Sequence, residues 1–325
     1  MVQDADTRDH VPGPPARFQI LSFDGGGLKG LFPAAVLAAV EDDLGVTVAD
    51  HFDLIVGTST GGLIALALGA GMRPKEIVDF YVRQGPTIFG AGRRIGRLWR
   101  SKHGADRLRD ALVDVFGDRL LGSSTKRLVI PSYSLDRNDV YVFKTAHHER
   151  LRRDHKELMV DVAMATAAAP SFLPVFRLAN NRLIDGGVWA NNPTLVAVAE
   201  AKSMLDISLD RMRILSMGTT DDCVDLGEKL NRGGLIQWSR PAGSVLLRGQ
   251  AIGSFHAAEH LVGPQNITRI DSPVPTGLFQ LDRINATRIR GLAEDVARTA
   301  SPAIERFTHH VPDPFIPLNK ELSDG

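Results

Sequence analysis

Residues 51–71, HFDLIVGTSTGGLIALALGAG, place a Gly-x-Ser-x-Gly turn between two apolar segments. The first segment, FDLIV, is typical of a buried strand, and the second, GLIALALGAG, is apolar on nearly every side and predicts a helix buried between layers. A serine at such a turn has a strained backbone and an exposed hydroxyl, and flanking Gly57 and Gly61 relieve the crowding. An ordinary tight turn can show the same five residues, but this context favours Ser59 as a nucleophile.

Strand and helix patterns alternate along most of the chain. Strands are predicted at residues 17–23, 52–56, 126–135, 139–145, 182–187 and 211–220. Helices are predicted at residues 31–45, 62–71, 74–84, 105–117, 159–170, 193–205 and 244–263, with a Gly-rich basic loop at 85–104. This alternation is typical of an α/β protein. We expect residues 1–17 to form a flexible lead-in and residues 18–325 to form one domain, with C-terminal additions from about residue 226.

A second glycine turn, DGGGLKG at residues 24–30, also lies between a predicted strand and a predicted helix. Three consecutive glycines let the backbone approach a ligand and turn its N–H groups toward negative charge, and the N-terminus of the following helix adds to this effect. The loop is therefore suited to stabilise an oxyanion.

The same loop also matches a dinucleotide-binding fingerprint. Gly25, Gly27 and Gly30 satisfy Gly-x-Gly-x-x-Gly, and Asp42 or Asp43 lies near the spacing of the ribose-binding acid. An oxidoreductase that binds a nucleotide is therefore an alternative. The aspartate directly before the glycines, and the nucleophile turn at the next strand end, favour acyl transfer instead.

A third turn, Asp185-Gly186-Gly187, ends another predicted strand. In a parallel sheet, an aspartate at the carboxyl end of a strand lies at the edge where ligands bind, and Ser59 and the glycine loop would share this edge. An aspartate in this position is also common as a turn residue that bonds its own backbone.

Four blocks, DGGGLKG, GTSTG, ATAAAPSFLP and DGG, occur in this order within residues 18–220 and together resemble the patatin-like phospholipases. The resemblance implies a patatin-like three-layer sandwich with a mostly parallel central sheet. It also implies a lipid acyl hydrolase that uses a serine–aspartate dyad without a histidine, a metal or another cofactor. Ser59 then resembles the nucleophile and Asp185 the base, while the backbone N–H groups of Gly25, Gly26 and Gly27 resemble the oxyanion hole.

The other positions of these blocks are expected to support the site. They are Asp24, Lys29, Gly30, Gly57, Gly61, Gly186 and Gly187. Lys29 departs from the family, which usually has arginine at this position. The positive charge is kept, but the planar fork that allows bidentate hydrogen bonding is lost.

A Ser-His-Asp triad is the alternative to the dyad. In the α/β-hydrolase order the histidine follows the acid, which leaves His256, His260, His309 and His310. None of them lies in a motif, and the first two, four residues apart on a predicted helix, fit a solvated face or an incomplete metal pair equally well. We therefore expect an aspartate base, whose basicity rises when it is desolvated.

Composition excludes several other functions. The 38 basic and 38 acidic residues balance, which gives no global field for binding nucleic acid. Cys223 is the single cysteine, and the polar start lacks the apolar core of a secretory signal, so we expect a cytoplasmic protein. The longest nearly unbroken apolar run, residues 63–72, is about half of the roughly 20 residues that a membrane helix needs. We therefore expect contact with the inner face of the membrane rather than a membrane span.

The segment GAGRRIGRLWRSKHG at residues 90–104 would be amphipathic if helical. Its basic residues are Arg93, Arg94, Arg97 and Arg100, and its apolar residues are Ile95, Leu98 and Trp99. Such a segment suits an anionic membrane surface. A solvated cap packed on the core is the alternative.

The chain further resembles the bacterial patatin-like phospholipases of anti-phage signalling that cyclic dinucleotides such as cyclic GMP-AMP switch on. The resemblance lies in its compact length and in the run GGVWANNP at residues 186–193, and it implies a cyclic dinucleotide activator. The basic run HHERLRRDHK at residues 147–156 is a candidate phosphate partner, with a solvated helix face as the alternative. A catalytically inactive sensor of lipid or nucleotide remains a further functional class, and the sequence gives no oligomeric state.

Overall fold

The computed structural model describes residues 17–89, 97–170, 172–223, 234, 238, 241–275 and 285–318. The predicted lead-in therefore lies outside the described residues except for its last residue. The side chains of residues 97–103 and of Cys223 also lie outside them. The division at residue 17 and the single domain from 18 to 325 stay predictions.

A mostly parallel sheet forms the centre of the molecule. The strands are β1 (Phe18–Phe23), β2 (Leu54–Gly57), β3 (Arg127–Ser134), β4 (Asp139–Lys144), β5 (Phe176–Leu178), β6 (Asn181–Asp185), β7 (Met212–Met217), β8 (Asp221–Cys223), β9 (Ile267–Ile270) and β10 (Pro273–Pro275). The central order is β5-β6-β3-β2-β1-β7-β9, and β4 also pairs with β3. The neighbouring pairs β3-β2, β2-β1, β1-β7 and β7-β9 are parallel, whereas β4 and β6 run antiparallel to β3. A separate short parallel pair joins β8 and β10.

Helices cover both faces of this sheet. They are α1 (Leu31–Leu44), α2 (Thr60–Gly69), α3 (Pro74–Phe89), α4 (Arg97–Phe116), α5 (Met159–Thr166), α6 (Gly187–Ala190), α7 (Thr194–Met204), α8 (Pro241–Val262) and α9 (Ala286–Glu305). Side chains alternate across a strand, so Leu21 of β1 packs in a core with α1 to α5 and α9, whereas Ile20 packs in a second core with α7 and α8. The predicted three-layer sandwich is confirmed.

The structure differs from the sequence prediction at the basic loop. The loop was predicted to span residues 85–104, but the segment between the two helices is shorter, because α3 continues to Phe89 and α4 already begins at Arg97. Gly85 does not end α3. It is buried within the helix, where a Cβ would lie 2.9 Å from Leu28 Cδ2, so the glycine allows α3 to pack closely against Leu28. The side chains of the proposed amphipathic face lie outside the described residues.

The part of the chain after residue 226 contributes to the main sheet. β9 pairs with β7 in parallel, and α9 packs against α1 in the larger core. Periodicity is weak in this part of the sequence because glycine and proline interrupt the apolar pattern. Of the helices that the structure describes, none has the length and apolar character to cross a membrane.

Candidate active site

Ser59 lies at the tight turn between β2 and α2. Its φ of 55° and ψ of −123° are strained for a residue with a side chain. A Cβ on Gly57 would lie 2.0 Å from Gly61 O, and one on Gly61 would lie 2.4 Å from Phe23 O. Both positions therefore require glycine, because the neighbouring backbone leaves no room for a side chain. Ser59 itself is half-buried and keeps access to solvent.

Asp185 reaches this turn on an antiparallel strand. β6 pairs antiparallel with β3, with Asp185 opposite Ser132. Because β3 pairs with β2 only as far as Val129, its last residues extend beyond the carboxyl edge of β2, and β6 returns along this extension. The expectation that Asp185 ends a parallel strand was wrong. The aspartate nevertheless lies at the expected edge, where it is close enough to the Ser59 side chain for Ser59 to lower the pKa of its carboxyl.

Burial makes the carboxylate of Asp185 unusually basic. Desolvation raises the pKa of Asp185 to about 6, and hydrogen bonds from Ser59 and from the backbone N–H of Gly187 oppose this shift. The backbone N–H of Gly187 donates a 2.7 Å hydrogen bond to Asp185 Oδ1. Asp185 is therefore also a turn residue that bonds its own backbone, which was the alternative interpretation of this position. A carboxylate with this pKa is ionised at neutral pH and accepts a proton more readily than an ordinary aspartate.

The end of α5 holds both Ser59 and Asp185. The hydroxyl of Thr166 accepts a 3.0 Å hydrogen bond from Ser59 N and donates one of 2.6 Å to Pro131 O. Two residues later, Ala168 O accepts a 3.0 Å bond from Asp185 N. The ATAAAP block therefore positions the two functional side chains against each other. Its helix ends at Thr166, four residues before the proline that was expected to stop it.

The glycine loop offers two unoccupied backbone donors. The N–H of Gly25 donates a 2.9 Å hydrogen bond to Asn191 O. Contrary to the prediction, this N–H is therefore not available to an oxyanion. Within the described part of the chain, the N–H groups of Gly26 and Gly27 have no partner, and both residues are half-buried. A Cβ on Gly25 would lie 3.3 Å from Ser59 Cβ, which places the loop directly beside the nucleophile. Of the three glycines predicted to form the oxyanion hole, Gly26 and Gly27 are those whose N–H groups have no partner among the described residues.

This arrangement agrees with the matches to known proteins. A family model described as patatin-like phospholipase matches residues 21–198. The chain belongs to the patatin-like phospholipase family. It is 32% identical to a "cGAMP-activated phospholipase" of Pseudomonas aeruginosa over 91% of this chain and 93% of that protein. A protein of the same name from Vibrio cholerae is 29% identical over 97% of each chain.

The fold of a solved structure agrees as well. The crystal structure of VipD from Legionella pneumophila matches 91% of this chain and 67% of that chain, with a TM-score of 0.52 and 11% identity. At this identity the match shows the shared fold alone. The dinucleotide-binding alternative is not supported: in this patatin-like phospholipase, Asp42 and Asp43 are exposed in the last turns of α1, and α1 separates them from the glycine loop.

A partly buried ion pair that the sequence did not reveal anchors the glycine loop of this patatin-like phospholipase. Arg269 of β9 binds Asp24 with both guanidinium nitrogens, at 3.0 Å to Oδ1 and 2.6 Å to Oδ2. It also binds Asp271 at 2.6 Å and donates a 2.8 Å bond to Ser216 Oγ. Burial alone would lower the pKa of Arg269, but the two carboxylates outweigh burial and raise it. Asn192 completes the set with a 2.9 Å bond to Asp24.

The remaining motif residues support the loop by packing. A Cβ on Gly26 would lie 2.2 Å from Thr219 Oγ1, and one on Gly186 would lie 2.4 Å from Pro131 O. Gly30 packs against Thr60, whose hydroxyl is hydrogen-bonded to Tyr81. The buried Lys29 donates a 3.4 Å bond to Thr220 O, a contact for which a single ammonium donor is sufficient.

The four candidate histidines are separate from the site. His310 Nε2 lies 2.7 Å from Asp53 Oδ2, at the amino end of β2, whereas Ser59 follows its carboxyl end. His256 and His260 are exposed on α8, and His309 is exposed in the tail segment. In the described parts of the chain, the partners of the Asp185 carboxylate are Ser59 and Gly187. The geometry therefore favours the dyad over a triad.

The basic run at residues 147–156 is not a helix face. It is mostly irregular, with one 3-10 turn at Asp154–Lys156. His147 is buried and binds Glu200 at 2.9 Å, whereas Arg150, Arg152 and Arg153 are exposed. These arginines remain candidate phosphate partners.

Proposed function

We propose that this protein is a phospholipase A-type lipid acyl hydrolase with Ser59 as nucleophile and Asp185 as base. The supporting observation is that the buried carboxylate of Asp185 lies close enough to the Ser59 side chain for Ser59 to lower its pKa, while the glycine loop beside Ser59 has two N–H groups without a partner in the described residues. Ionised Asp185 accepts the serine proton as the hydroxyl attacks an ester carbonyl. The intact pair argues against an inactive sensor.

The glycine loop would stabilise the charge that this attack creates. The carbonyl oxygen becomes an oxyanion in the tetrahedral intermediate, and the N–H groups of Gly26 and Gly27 are placed to bind it. One such donor contributes about 10²–10³ in rate. Protonated Asp185 then gives its proton to the leaving alkoxide. Water, deprotonated by the same carboxylate, attacks the acyl-enzyme and releases the fatty acid, after which the proton returns to Ser59.

The rate should follow the ionisation of Asp185. Only the ionised carboxylate can accept the proton, and its pKa is raised to about 6. We therefore expect kcat/KM for a soluble ester to be constant above this pH and to fall about tenfold per pH unit below it. The measurement is a pH profile of kcat/KM, with circular dichroism at each pH to exclude unfolding. A profile that stays flat down to pH 4.5 would exclude a base with this pKa.

We further propose that a cyclic dinucleotide activates the enzyme and that it acts in anti-phage defence. The relatives named cGAMP-activated phospholipase match the chain almost end to end, including the C-terminal third that lies beyond the family model. Activation requires that the ligand bind an active conformation or assembly more tightly than the resting one. A cytoplasmic enzyme acting on the inner face of the membrane fits such a signal. The segment at residues 90–104 is our candidate for peripheral membrane contact.

Vesicle hydrolysis tests this regulation. With vesicles of phosphatidylglycerol and phosphatidylethanolamine, we expect weak fatty-acid release that cyclic GMP-AMP increases at least about tenfold. The reason is that, without ligand, only a minor fraction of the protein would be in the active state. Linear dinucleotides and the Ser59→Ala variant are the controls. Sedimentation of the protein with the same vesicles at low and high salt reports membrane contact. Full activity without ligand, unchanged across a panel of cyclic dinucleotides, would remove the activation proposal.

A further inference from the structure

We propose that Leu246 and Leu247, in the first half of α8, form the surface on which the acyl chain of the substrate lies. This proposal rests on the proposed function, because it assigns the apolar part of the substrate to a place beside Ser59. It names two residues that would set acyl-chain preference, which the family motifs leave open.

α8 is joined to the active site through two hydrogen bonds. The side chain of Gln250 accepts a 3.0 Å bond from Asn191 N. Asn191 O in turn accepts the 2.9 Å bond from Gly25 N. Gly25 lies directly beside Ser59, as described above. Gln250 therefore marks the part of α8 that is nearest to the glycine loop.

The two leucines lie on the same side of α8 as Gln250. Leu246 precedes Gln250 by four residues and Leu247 precedes it by three, and such residues are neighbours on one helix face about 5–6 Å apart. Farther along this face, Ser254 accepts a 2.8 Å bond from Gln250, and Ala258 is fully buried against the second core. Leu247 therefore lies on the side of α8 that packs on the body in its second half, whereas Leu246 lies toward the side that carries Leu261, which is 50% exposed.

In the first half, however, this face is uncovered. Leu246 is 72% exposed and Leu247 is 38% exposed. Exposed Val188 of α6 belongs to the same region, because α6 packs against α8 and begins two residues after Asp185. Water contact with these side chains is unfavourable, and a hydrocarbon chain would remove them from water without needing a polar partner. Because Gln250 connects this part of α8 to the glycine loop through Asn191, the acyl chain of an ester bound at Ser59 is the occupant that we propose.

Chain-length dependence tests the assignment. We would compare p-nitrophenyl acetate with p-nitrophenyl decanoate, with cyclic GMP-AMP present, for the unmodified protein and for the double variant Leu246→Ser with Leu247→Ser. We expect kcat/KM for the decanoate to fall about tenfold or more, because apolar contacts of this size discriminate substrates by such factors, and the acetate to stay within about twofold. Ile252→Ser is the matched control: Ile252 is 40% exposed on the opposite face of α8 and should change neither ester.

The other outcomes would each overturn the assignment. Equal losses on both esters would indicate that the leucines support the glycine loop, and no loss on either would place the acyl chain elsewhere. A change in oligomeric state by light scattering, with unchanged chain-length preference, would assign the leucines to a contact between copies. Hydrolysis of the acetate that disappears in Ser59→Ala measures the proposed function separately, so a failed chain-length effect counts against the leucines alone.

Discussion

Ser59→Ala is expected to lower kcat for a soluble ester by at least about 10³-fold, and Asp185→Asn by a comparable factor. The first change removes the nucleophile. The second keeps nearly the same shape but removes the carboxylate that accepts the proton. Because the two side chains act as one unit, the double variant should lose no more than either single variant. Turnover of p-nitrophenyl acetate, with circular dichroism to verify folding, measures all three.

The same substitution at Asp185 should stabilise the protein. Its pKa is about 6 in the folded state against an ordinary value of 3.8. The folded protein therefore binds this proton more tightly than the unfolded chain does. The associated stabilisation is complete below pH 4 and is lost as pH rises through about 6. At neutral pH, ionised Asp185 destabilises the fold by up to about 3 kcal/mol, and Asp185→Asn removes this cost. An inactive variant with a raised Tm would thus separate loss of chemistry from loss of structure.

Histidine substitutions provide the contrast. His256→Ala, His260→Ala and His309→Ala should keep most of the activity, because these side chains are exposed and none of them contacts the Asp185 carboxylate in the part of the chain that the structure describes. His310→Ala removes the contact with Asp53 and can lower stability, but the folded enzyme should remain active. A histidine variant as inactive as Ser59→Ala, together with an active Asp185→Asn, would refute the dyad and favour a triad.

Arg269→Met should have the second large effect, a loss of about 3–5 kcal/mol in the free energy of unfolding. Methionine fills much of the arginine volume but leaves Asp24 and Asp271 close together without the cation that binds both. Removing the arginine is costly because Asp24 is buried and its charge then stays out of water without its cation. Urea denaturation followed by circular dichroism gives the difference.

Arg298→Met is the matched control for this measurement. Arg298 is paired with Asp295 at 3.8 Å on the surface of α9 and its side chain is 77% exposed. The control should change stability by less than about 0.5 kcal/mol. If Arg269→Met were as mild as this control, the bidentate pair with Asp24 would not contribute to holding the glycine loop.

Local patterns predicted most of the fold. The apolar runs of β1, β2 and α2 are short, contiguous and punctuated by glycine, so their identity can be read without tertiary information. The direction of a strand within the sheet could not be predicted in this way. The segment that forms β6 has the composition of any short strand, and its antiparallel pairing follows from the overhang of β3, which no local pattern encodes. The end of α3 was missed for a related reason, since Gly85 lies inside the helix and packs closely against Leu28 instead of ending the helix.

The site shows the same division. Ser59 and Asp185 lie in glycine turns whose geometry is local, and both could be proposed from sequence. Arg269 could not, because its partner Asp24 is 245 residues away along the chain and no motif surrounds it. Thr166 was quoted within a block, but its contact with Ser59 depends on where α5 ends. The bond from Gly25 to Asn191 likewise depends on the meeting of two distant loops, and it removed one expected oxyanion donor.

The position of β7 and β9 in the sheet has a consequence for any shortened form of the protein. A chain cut after residue 198, where the family model ends, would keep Ser59, Asp185 and the glycine loop, yet it would lack both β7 and β9. β1, which pairs with β7, would become an open edge of the sheet, with the apolar sequence FQILSF and no charged or proline residue to discourage pairing. Open edges of this kind add strands from other chains. The catalytic motifs alone are therefore expected to give an aggregating fragment rather than a small independent hydrolase.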